Sequence, residues 1–304
     1  MRDLLGYQGK RVVVTGAASG MGEATARTLS ELGAEVYALD VKQVTVPVKR
    51  YIKTDLKQKQ SIDDAVKQIP DKLHAIFNCA GIVNADIPKL DITLVNFVGH
   101  RHLTESLLPK MNDNGAIAFI SSQAGVAWRN RLDIIKKFLA TKGFDEARAW
   151  LVANEEINNG YVFSKESICA YVKIQTAELA KRCIRINCIL PGSTNSGMTG
   201  MFRDDGVVVK DAPVFDDAAA AMIRAHMDVI RPLCGRNAAP EEQAEPLIFL
   251  NSNMARHISG VAFCVDFGHM ATVEAGLVPD IWGLGATESL GGNMLKDLRV
   301  REKH

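Results

Sequence analysis

The chain has 304 residues with a formal net charge of +1, and 47% of them are hydrophobic. That length and apolar fraction allow one large α/β domain, and the near-neutral charge argues against nucleic acid or a membrane surface as a partner. The apolar runs fall short of the roughly 20 residues of a membrane-spanning helix, and the first predicted strand begins too early for a signal peptide. The six cysteines include no C-x-x-C pair, so we expect a cytoplasmic protein with reduced thiols.

Apolar runs and helical patterns alternate along the chain, which is typical of a parallel sheet with helices on both faces. We predict seven strands, at residues 11–14, 35–39, 50–53, 75–78, 116–121, 185–190 and 261–265. Helices are predicted at 21–32, 61–69, 91–108, 161–182, 216–230 and 241–250. The expected fold is α/β, a single-domain Rossmann fold over residues 1–304 with a doubly wound parallel sheet.

Several segments depart from this simple alternation. Residues 41–49 contain Pro47 and leave no space for a helix between strands two and three. Residues 127–159 form an insertion with two short amphipathic helical patterns. Residues 193–236 carry many methionines and phenylalanines, which suits a lid over a bulky apolar ligand, although these side chains could simply pack on the sheet. The Gly-rich tail at 270–304 is long enough to pack against a second subunit.

The first strand leads directly into the turn Thr15-Gly16-Ala17-Ala18-Ser19-Gly20-Met21-Gly22. Its glycines let the backbone approach a pyrophosphate, and the following helix directs free N–H groups and a positive dipole end toward it. The second strand ends in Asp40, whose carboxylate suits the adenine-ribose hydroxyls and repels the additional phosphate of NADP. The pattern predicts a dinucleotide site that favours NAD.

Tyr161 and Lys165 lie one turn apart on one face of a predicted helix. An adjacent ammonium group is expected to lower the phenol pKa from about 10, so that the tyrosine can act as general acid and base. Ser122 follows the fifth strand, at the sheet edge where ligands bind, although capping a turn is an alternative role. Asn96 occupies an apolar helical stretch, where its amide needs partners and its role could be structural.

With Asn78-Cys79-Ala80-Gly81 and Pro191-Gly192, these motifs resemble the short-chain dehydrogenase/reductase family over nearly the whole chain. The resemblance implies a catalytic tetrad, in which Tyr161 is the general acid/base and Ser122 holds the substrate oxygen. Lys165 would bind the nicotinamide ribose and Asn96 a relay water. The turn and the resemblance together predict NAD as cofactor, in contact with Gly16, Ser19, Gly20, Met21, Gly22, Asp40, Asp55, Leu56, Asn78, Ala80, Gly81, Tyr161, Lys165, Pro191, Gly192, Thr194 and Ser196.

The gap of 39 positions between Ser122 and Tyr161 is longer than family members usually have. With the short 41–49 connection, it is similar to the bacterial 3α-hydroxysteroid dehydrogenase/carbonyl reductase subgroup. There the insertion covers a surface that other members use for tetramer contacts, which implies a homo-oligomer, with a dimer favoured.

The expected activity is NAD-dependent interconversion of a hydrophobic secondary alcohol and its ketone, with a hydroxysteroid or a similarly bulky molecule as substrate. An aromatic alcohol or diol dehydrogenase is one alternative, and a non-catalytic NAD-binding sensor on the same fold is another. No metal is expected, because His100 and His102 lie two positions apart on a helix and do not face one another.

Overall fold

A computed structural model describes residues 3–83, 86–195, 233–278, 280 and 284 of the chain. Its sheet contains β1 (Arg11–Thr15), β2 (Glu35–Asp40), β3 (Arg50–Lys53), β4 (Leu73–Asn78), β5 (Met111–Ile120), β6 (Arg185–Pro191) and β7 (Ala262–Val265). The strand order is β3-β2-β1-β4-β5-β6-β7 and all neighbours run parallel. The predicted doubly wound sheet is confirmed. Its order reverses between β1 and β4, where a ligand crevice opens at the carboxyl ends of the strands.

The α-helices are α1 (Gly20–Glu31), α2 (Lys59–Gln68), α3 (Lys89–Thr93), α4 (His100–Leu107), α5 (Leu132–Leu139), α6 (Gly143–Ala153), α7 (Tyr161–Leu179), α8 (Pro240–Asn251) and α9 (His269–Glu274). A π-helical segment, Leu94–Gly99, separates α3 from α4 within the predicted helix 91–108. Short 3-10 helices lie at Leu108–Lys110, Gln123–Gly125, Trp128–Arg131, Ala180–Arg182 and Asn253–Ala255. Within the described ranges, no helix has the length and apolar character to cross a membrane.

Parts of the sequence prediction fall on residues that the structure does not describe. The predicted helix at 216–230 lies entirely outside the described residues, as do residues 196–232 of the predicted lid and most of the tail beyond 278. The described start of that tail contains α9, which the sequence did not predict.

The sheet is buried on both faces, as the consecutive valines of β1 show. Val12 and Val14 pack on one face in a cluster with Leu29 of α1 and Leu247 of α8. Val13 belongs to the cluster on the opposite face. Strands buried on both sides read as continuous apolar runs rather than as alternating ones, which explains why they were recognisable in the sequence.

The insertion before Tyr161 is helical, as predicted, and packs against the helices beside it through aromatic rings. Phe138 of α5 lies with its ring centre 5.6 Å from that of Phe97 and 5.3 Å from that of Phe163. Trp150 of α6 stacks on Phe163 at 6.1 Å, with the ring planes 11° apart. The insertion is therefore joined to the π-helical segment and to α7. The predicted absence of a helix between β2 and β3 is also confirmed.

Candidate active site

The turn between β1 and α1 requires glycine for close packing of its backbone. Gly16 has φ +68°, and a Cβ atom there would lie 2.6 Å from Cα of Ala80. A Cβ atom on Gly22 would overlap the carbonyl oxygen of Gly16. The Thr15 hydroxyl accepts hydrogen bonds from the N–H groups of Cys79 (2.9 Å) and Ala80 (3.1 Å), which ties the turn to the end of β4.

Asp40 ends β2 beside this turn. Its carboxylate accepts hydrogen bonds from the backbone N–H of Ala18 at 3.0 Å and of Lys42 at 2.8 Å. The first bond holds the carboxylate against the turn that would carry a pyrophosphate. Val41, which follows, is exposed.

A cleft of about 900 Å³ runs along the turn and past Asp40, a volume within the range of small-molecule sites. It is lined by ten of the predicted cofactor residues: Gly16, Ser19, Gly20, Met21, Gly22, Asp40, Asp55, Leu56, Ala80 and Gly81. The turn presents its backbone to the cleft, because a side chain on Gly16 or Gly22 would collide with backbone atoms, and the Asp40 carboxylate lines the same cleft. These residues fit a nicotinamide dinucleotide.

The predicted nicotinamide side lies at the end of β6. Pro191 ends that strand, and the N–H of Gly192 donates to the carbonyl oxygen of Val265 at 3.0 Å. A Cβ atom on Gly192 would lie 2.8 Å from Cβ of Asp266, so this backbone also packs closely on its neighbour. The hydroxyl of Thr194 donates to the carbonyl oxygen of Gly192 at 3.0 Å. These residues lie apart from the described cleft lining, and Ser196 lies outside the described residues.

The two predicted asparagines, Asn78 and Asn96, are buried and bond to protein groups. Asn78 Nδ2 donates to the Thr104 hydroxyl at 3.1 Å, and its Oδ1 has no hydrogen-bond partner in the described part of the chain. Asn96 Oδ1 accepts from Ile82 N–H at 2.8 Å, while its Nδ2 donates to the Ile82 carbonyl at 2.9 Å and lies 3.4 Å from the Ser164 hydroxyl. These contacts satisfy the amide of Asn96 in its apolar surroundings, and the predicted relay water stays a prediction.

Ser122, Tyr161 and Lys165 meet at the carboxyl edge of the sheet. Lys165 is only 3% exposed, and its Nζ donates to the carbonyl oxygen of Ile120 at 2.9 Å. The same Nζ lies 5.4 Å from the centre of the Tyr161 ring. Ser122 Oγ accepts from the N–H of Ala124 at 3.2 Å and so caps a 3-10 helix. The serine therefore has the capping role as well as a position beside the tyrosine.

The predicted direction of the Tyr161 pKa is wrong in this structure. Burial of the phenol raises its pKa, and a side-chain hydrogen bond with Ser122 opposes that rise. Burial also lowers the pKa of Lys165 to about 8, because an ammonium group loses its hydration there. The expectation counted the charge of Lys165 but not the desolvation of both groups, and it is Ser122 that favours the phenolate.

The residues before Tyr161 fix the start of α7. Asn158 Oδ1 accepts from Gly160 N–H at 3.0 Å and from the Thr93 hydroxyl at 2.7 Å. Asn159 Oδ1 accepts from Phe163 N–H at 2.8 Å, inside the first turn of α7. Gly160 has φ +75°, a conformation that favours glycine. The end of the insertion therefore sets where Tyr161 enters its helix.

Arg131 joins both ends of the insertion to α7. Its guanidinium donates to Glu166 Oε2 at 3.0 Å and to the carbonyl oxygen of Ile157 at 2.6 Å. Burial raises the pKa of Glu166, while the charge of Arg131 acts against this rise. Since Glu166 follows Lys165 directly, the insertion is anchored beside the candidate site.

The histidines of α4 have separate partners. His102 Nε2 lies 2.7 Å from Asp63 Oδ1, whereas His100 contacts Thr15 and Asn96. Among the described residues, no group of three His, Cys, Asp or Glu side chains is placed to hold a metal ion. The sequence did not indicate that Thr15 joins the glycine turn to the end of β4, or that His100 joins Thr15 to Asn96. The available signal was a histidine four residues after Asn96, one helical turn away.

Two family models match the chain. One, described as short chain dehydrogenase, matches residues 10–142, and the other, described as enoyl-(acyl carrier protein) reductase, matches residues 149–270. Together they span β1 to α9.

Curated relatives and a solved structure agree with these models. A coniferyl-alcohol dehydrogenase of a Pseudomonas species is 29% identical over 265 residues, which cover 86% of this chain and 97% of the relative. The 3-alpha-hydroxysteroid dehydrogenase/carbonyl reductase of Comamonas testosteroni is 26% identical over 263 residues, 84% of this chain and 95% of the relative. The crystal structure of a Pseudomonas 3-alpha-hydroxysteroid dehydrogenase complexed with NADH has the same fold, with a TM-score of 0.70 at 24% identity, and covers 88% of this chain and 99% of that one. The chain thus belongs to the short-chain dehydrogenase/reductase family and is an oxidoreductase that acts on CH–OH groups.

Proposed function

We propose that the chain is an NAD-dependent dehydrogenase that interconverts a bulky hydrophobic secondary alcohol and its ketone. The observation that carries this proposal is the meeting of Tyr161 with Ser122 and Lys165 at the carboxyl edge of the sheet. A sensor that only binds NAD has no need for this combination of groups.

The chain's own residues would perform the proton transfer of an alcohol oxidation. The Ser122 hydroxyl would donate a hydrogen bond to the substrate oxygen. The Tyr161 phenolate would accept the proton of the substrate hydroxyl. Lys165, held by Ile120, would contact the nicotinamide ribose and place its charge beside the phenolate. A bound nicotinamide would supply the hydride-transfer chemistry of the reaction.

The cofactor preference for NAD rests on Asp40. The bond from Ala18 holds its carboxylate beside the glycine turn. There the carboxylate oxygens could accept from two ribose hydroxyls, and their negative charge would repel a ribose phosphate. Asp55 and Leu56, in the same cleft, would meet the adenine ring, and Pro191, Gly192 and Thr194 the nicotinamide.

An aromatic alcohol is a second candidate substrate, because the coniferyl-alcohol dehydrogenase is 29% identical over most of both chains. A diol is the third class that the sequence left open. All three classes would place their reacting hydroxyl against Ser122 and Tyr161, and they differ in the part of the molecule beyond it.

A substrate panel with NAD tests the proposal. NADH formation is followed by absorbance with a 3α-hydroxysteroid, coniferyl alcohol, a cyclic diol and a simple sugar, each repeated with NADP. We expect the highest kcat/KM with the steroid and NAD. A higher kcat/KM with coniferyl alcohol would assign the second candidate, and reaction with none of the alcohols would refute the dehydrogenase.

We also propose that the chain forms a homodimer. The insertion helices pack on the π-helical segment and α7 through Phe138 and Trp150, which supports the loss of a surface that other family members use in tetramers. Light scattering coupled to size exclusion should give twice the chain mass, and a tetramer would contradict this.

A cytoplasmic location is the matching proposal for the compartment. All six cysteines are free thiols, with Cys79, Cys169 and Cys188 buried and Cys183 and Cys234 exposed. Exposed free thiols suit a reducing compartment. A tagged chain should fractionate with cytoplasmic markers, and recovery with secreted protein would refute the location.

A further inference from the structure

His100 connects the glycine turn with the catalytic side of the site. The side chain is 1% exposed and begins α4, directly after the π-helical segment that contains Asn96. Its Nε2 lies 3.0 Å from the Thr15 hydroxyl, and its Nδ1 lies 3.2 Å from the carbonyl oxygen of Asn96.

The neighbouring bonds assign the imidazole tautomer. Thr15 Oγ1 already accepts from the N–H groups of Cys79 and Ala80, which occupy both of its lone pairs. Its own hydrogen is therefore available for Nε2, and Nε2 accepts. Nδ1 must then carry the ring hydrogen, because the Asn96 carbonyl can only accept. Burial lowers the pKa of His100 to about 3, so the ring stays neutral.

One end of this bridge acts on the cofactor cleft. The Thr15 hydroxyl holds the backbone of Cys79 and Ala80, and Ala80 lies in van der Waals proximity to Gly16 in the glycine turn. A ring that accepts the hydroxyl hydrogen keeps both oxygen lone pairs directed at these N–H groups. Losing this bond would loosen the wall of the cleft.

The other end acts on Tyr161 through Asn96 and Ser164. Asn96 Nδ2 lies 3.4 Å from the Ser164 hydroxyl, which in turn donates to the Tyr161 carbonyl oxygen at 2.6 Å. Gly99 fixes the backbone beside His100, because a Cβ atom there would overlap the carbonyl oxygen of Leu56 in the same cleft. The ring is thus placed between the Thr15 hydroxyl and the Asn96 carbonyl oxygen.

We propose that His100 is a positioning residue that fixes the cofactor cleft through Thr15 and the entry of Tyr161 through Asn96. This inference rests on the proposed function. It assigns a role to an uncharged, buried histidine that touches neither substrate nor cofactor. One ring nitrogen supports cofactor binding, and the other supports proton transfer by Tyr161.

Three substitutions separate the effect of the bond to Thr15 from the effect of the bond to Asn96. In His100→Gln, the side-chain carbonyl reaches the place of Nε2 and can accept from Thr15. In His100→Asn, the amide nitrogen takes the place of Nδ1 and can donate to Asn96. His100→Leu removes both bonds. The matched control is His102→Leu, on the same helix, which removes the contact with Asp63 and the edge-on ring contact with Phe144 but touches neither Thr15 nor Asn96.

The readouts are the Kd for NAD by calorimetry, kcat with the preferred alcohol, the Tm, and hydrogen exchange of the peptide that contains Cys79 and Ala80. For His100→Leu we expect NAD binding and kcat each to weaken about five- to tenfold, as for loss of one neutral hydrogen bond, with faster exchange of the peptide. His100→Gln should keep the wild-type Kd and exchange rate but have the lowered kcat. His100→Asn should keep the wild-type kcat but bind NAD more weakly and exchange faster. His102→Leu should leave the Kd, kcat and the exchange rate unchanged, whatever its effect on the Tm.

Two results would overturn the proposal. Unchanged Kd, kcat and exchange in His100→Leu would show that the bridge has no effect. Weaker NAD binding (a higher Kd) together with a lower kcat in both the Gln and the Asn variants, in proportion to their loss of Tm, would show a merely structural role. If the Leu variant does not fold, the Gln and Asn variants decide. A wild-type chain that binds NAD without turnover would refute the proposed dehydrogenase, while the Kd and exchange comparison would still test His100.

Discussion

Lys165 Nζ donates to the carbonyl oxygen of Ile120 at 2.9 Å, and the same nitrogen lies 5.4 Å from the centre of the Tyr161 ring. The last residue of β5 therefore orients the ammonium group that shares a helix face with the tyrosine. Partial or full burial favours the neutral form of each group: it raises the pKa of Tyr161 and lowers the pKa of Lys165.

Replacing Lys165 with Met should change how stability depends on pH. The pKa of Lys165 is lowered to about 8 from 10.5, so the unfolded chain binds more protons than the folded chain between these two values. Stability of the wild type therefore rises with pH through that window, by about 3 kcal/mol from this group. Urea unfolding at both ends of the window should show this gain for the wild type relative to Lys165→Met. An equal slope in both proteins would contradict the burial of a charged lysine.

Replacing Ser122 with Ala should move the activity profile to higher pH. The hydrogen bond from Ser122 opposes the rise in the Tyr161 pKa, so its loss lets that pKa rise further and delays formation of the phenolate. Alcohol oxidation should also slow by about 10²-fold, as for loss of an oxyanion-type donor. The pH dependence of kcat/KM measures both effects. Ser122→Thr keeps the hydroxyl and serves as control, and an Ala variant with the wild-type profile would refute the role of Ser122.

Replacing Asp40 with Asn should reduce the preference for NAD. The amide keeps an acceptor for the Ala18 N–H but removes the charge that repels a ribose phosphate. The ratio of kcat/KM for NAD to that for NADP should fall about tenfold, which corresponds to 1.4 kcal/mol. Asp64→Asn, on the exposed side of α2 with Lys67 as its partner, should leave the ratio unchanged. An unchanged ratio in Asp40→Asn would assign cofactor choice to other residues.

Replacing Asn96 with Ala should destabilise the fold. The substitution leaves the N–H and carbonyl groups of Ile82 without the amide that binds both. Each of these two part-buried hydrogen bonds contributes about 1 kcal/mol, and chemical denaturation would measure their loss as a lower free energy of unfolding. Asn112→Ala, at an exposed site, is the control. Equal stability of both variants would show that the clamp on Ile82 contributes nothing.

The fold was predictable where burial on both faces gave continuous apolar runs, as in β1 and β6, and where the glycine turn marked the start of α1. The π-helical segment was not: periodicity indicated one continuous helix, and the contact of Asn96 in this segment with Ile82, a partner from another part of the fold, is not visible in the sequence. Helix α9 was hidden in a segment whose glycines indicated only a tail.

The site was predictable in residue identity but not in electrostatics. The motifs identified Ser122, Tyr161 and Lys165, which the structure brings together. The sequence carried no measure of how deeply they are buried, and burial sets the direction of the Tyr161 pKa. His100 was visible as a histidine one helical turn after Asn96, but its contact with Thr15 at the end of β1 forms only in the tertiary structure.

The central claim is that Tyr161 exchanges the substrate proton, and Tyr161→Phe tests it most directly. Single-turnover oxidation of the best alcohol, with NAD binding measured in parallel, should show a rate reduced by about 10²- to 10⁴-fold with NAD affinity close to that of the wild type. Tyr171→Phe, on the same helix with its hydroxyl on Glu105, should retain turnover. A Tyr161→Phe protein that still oxidises the alcohol at the wild-type rate would contradict the account.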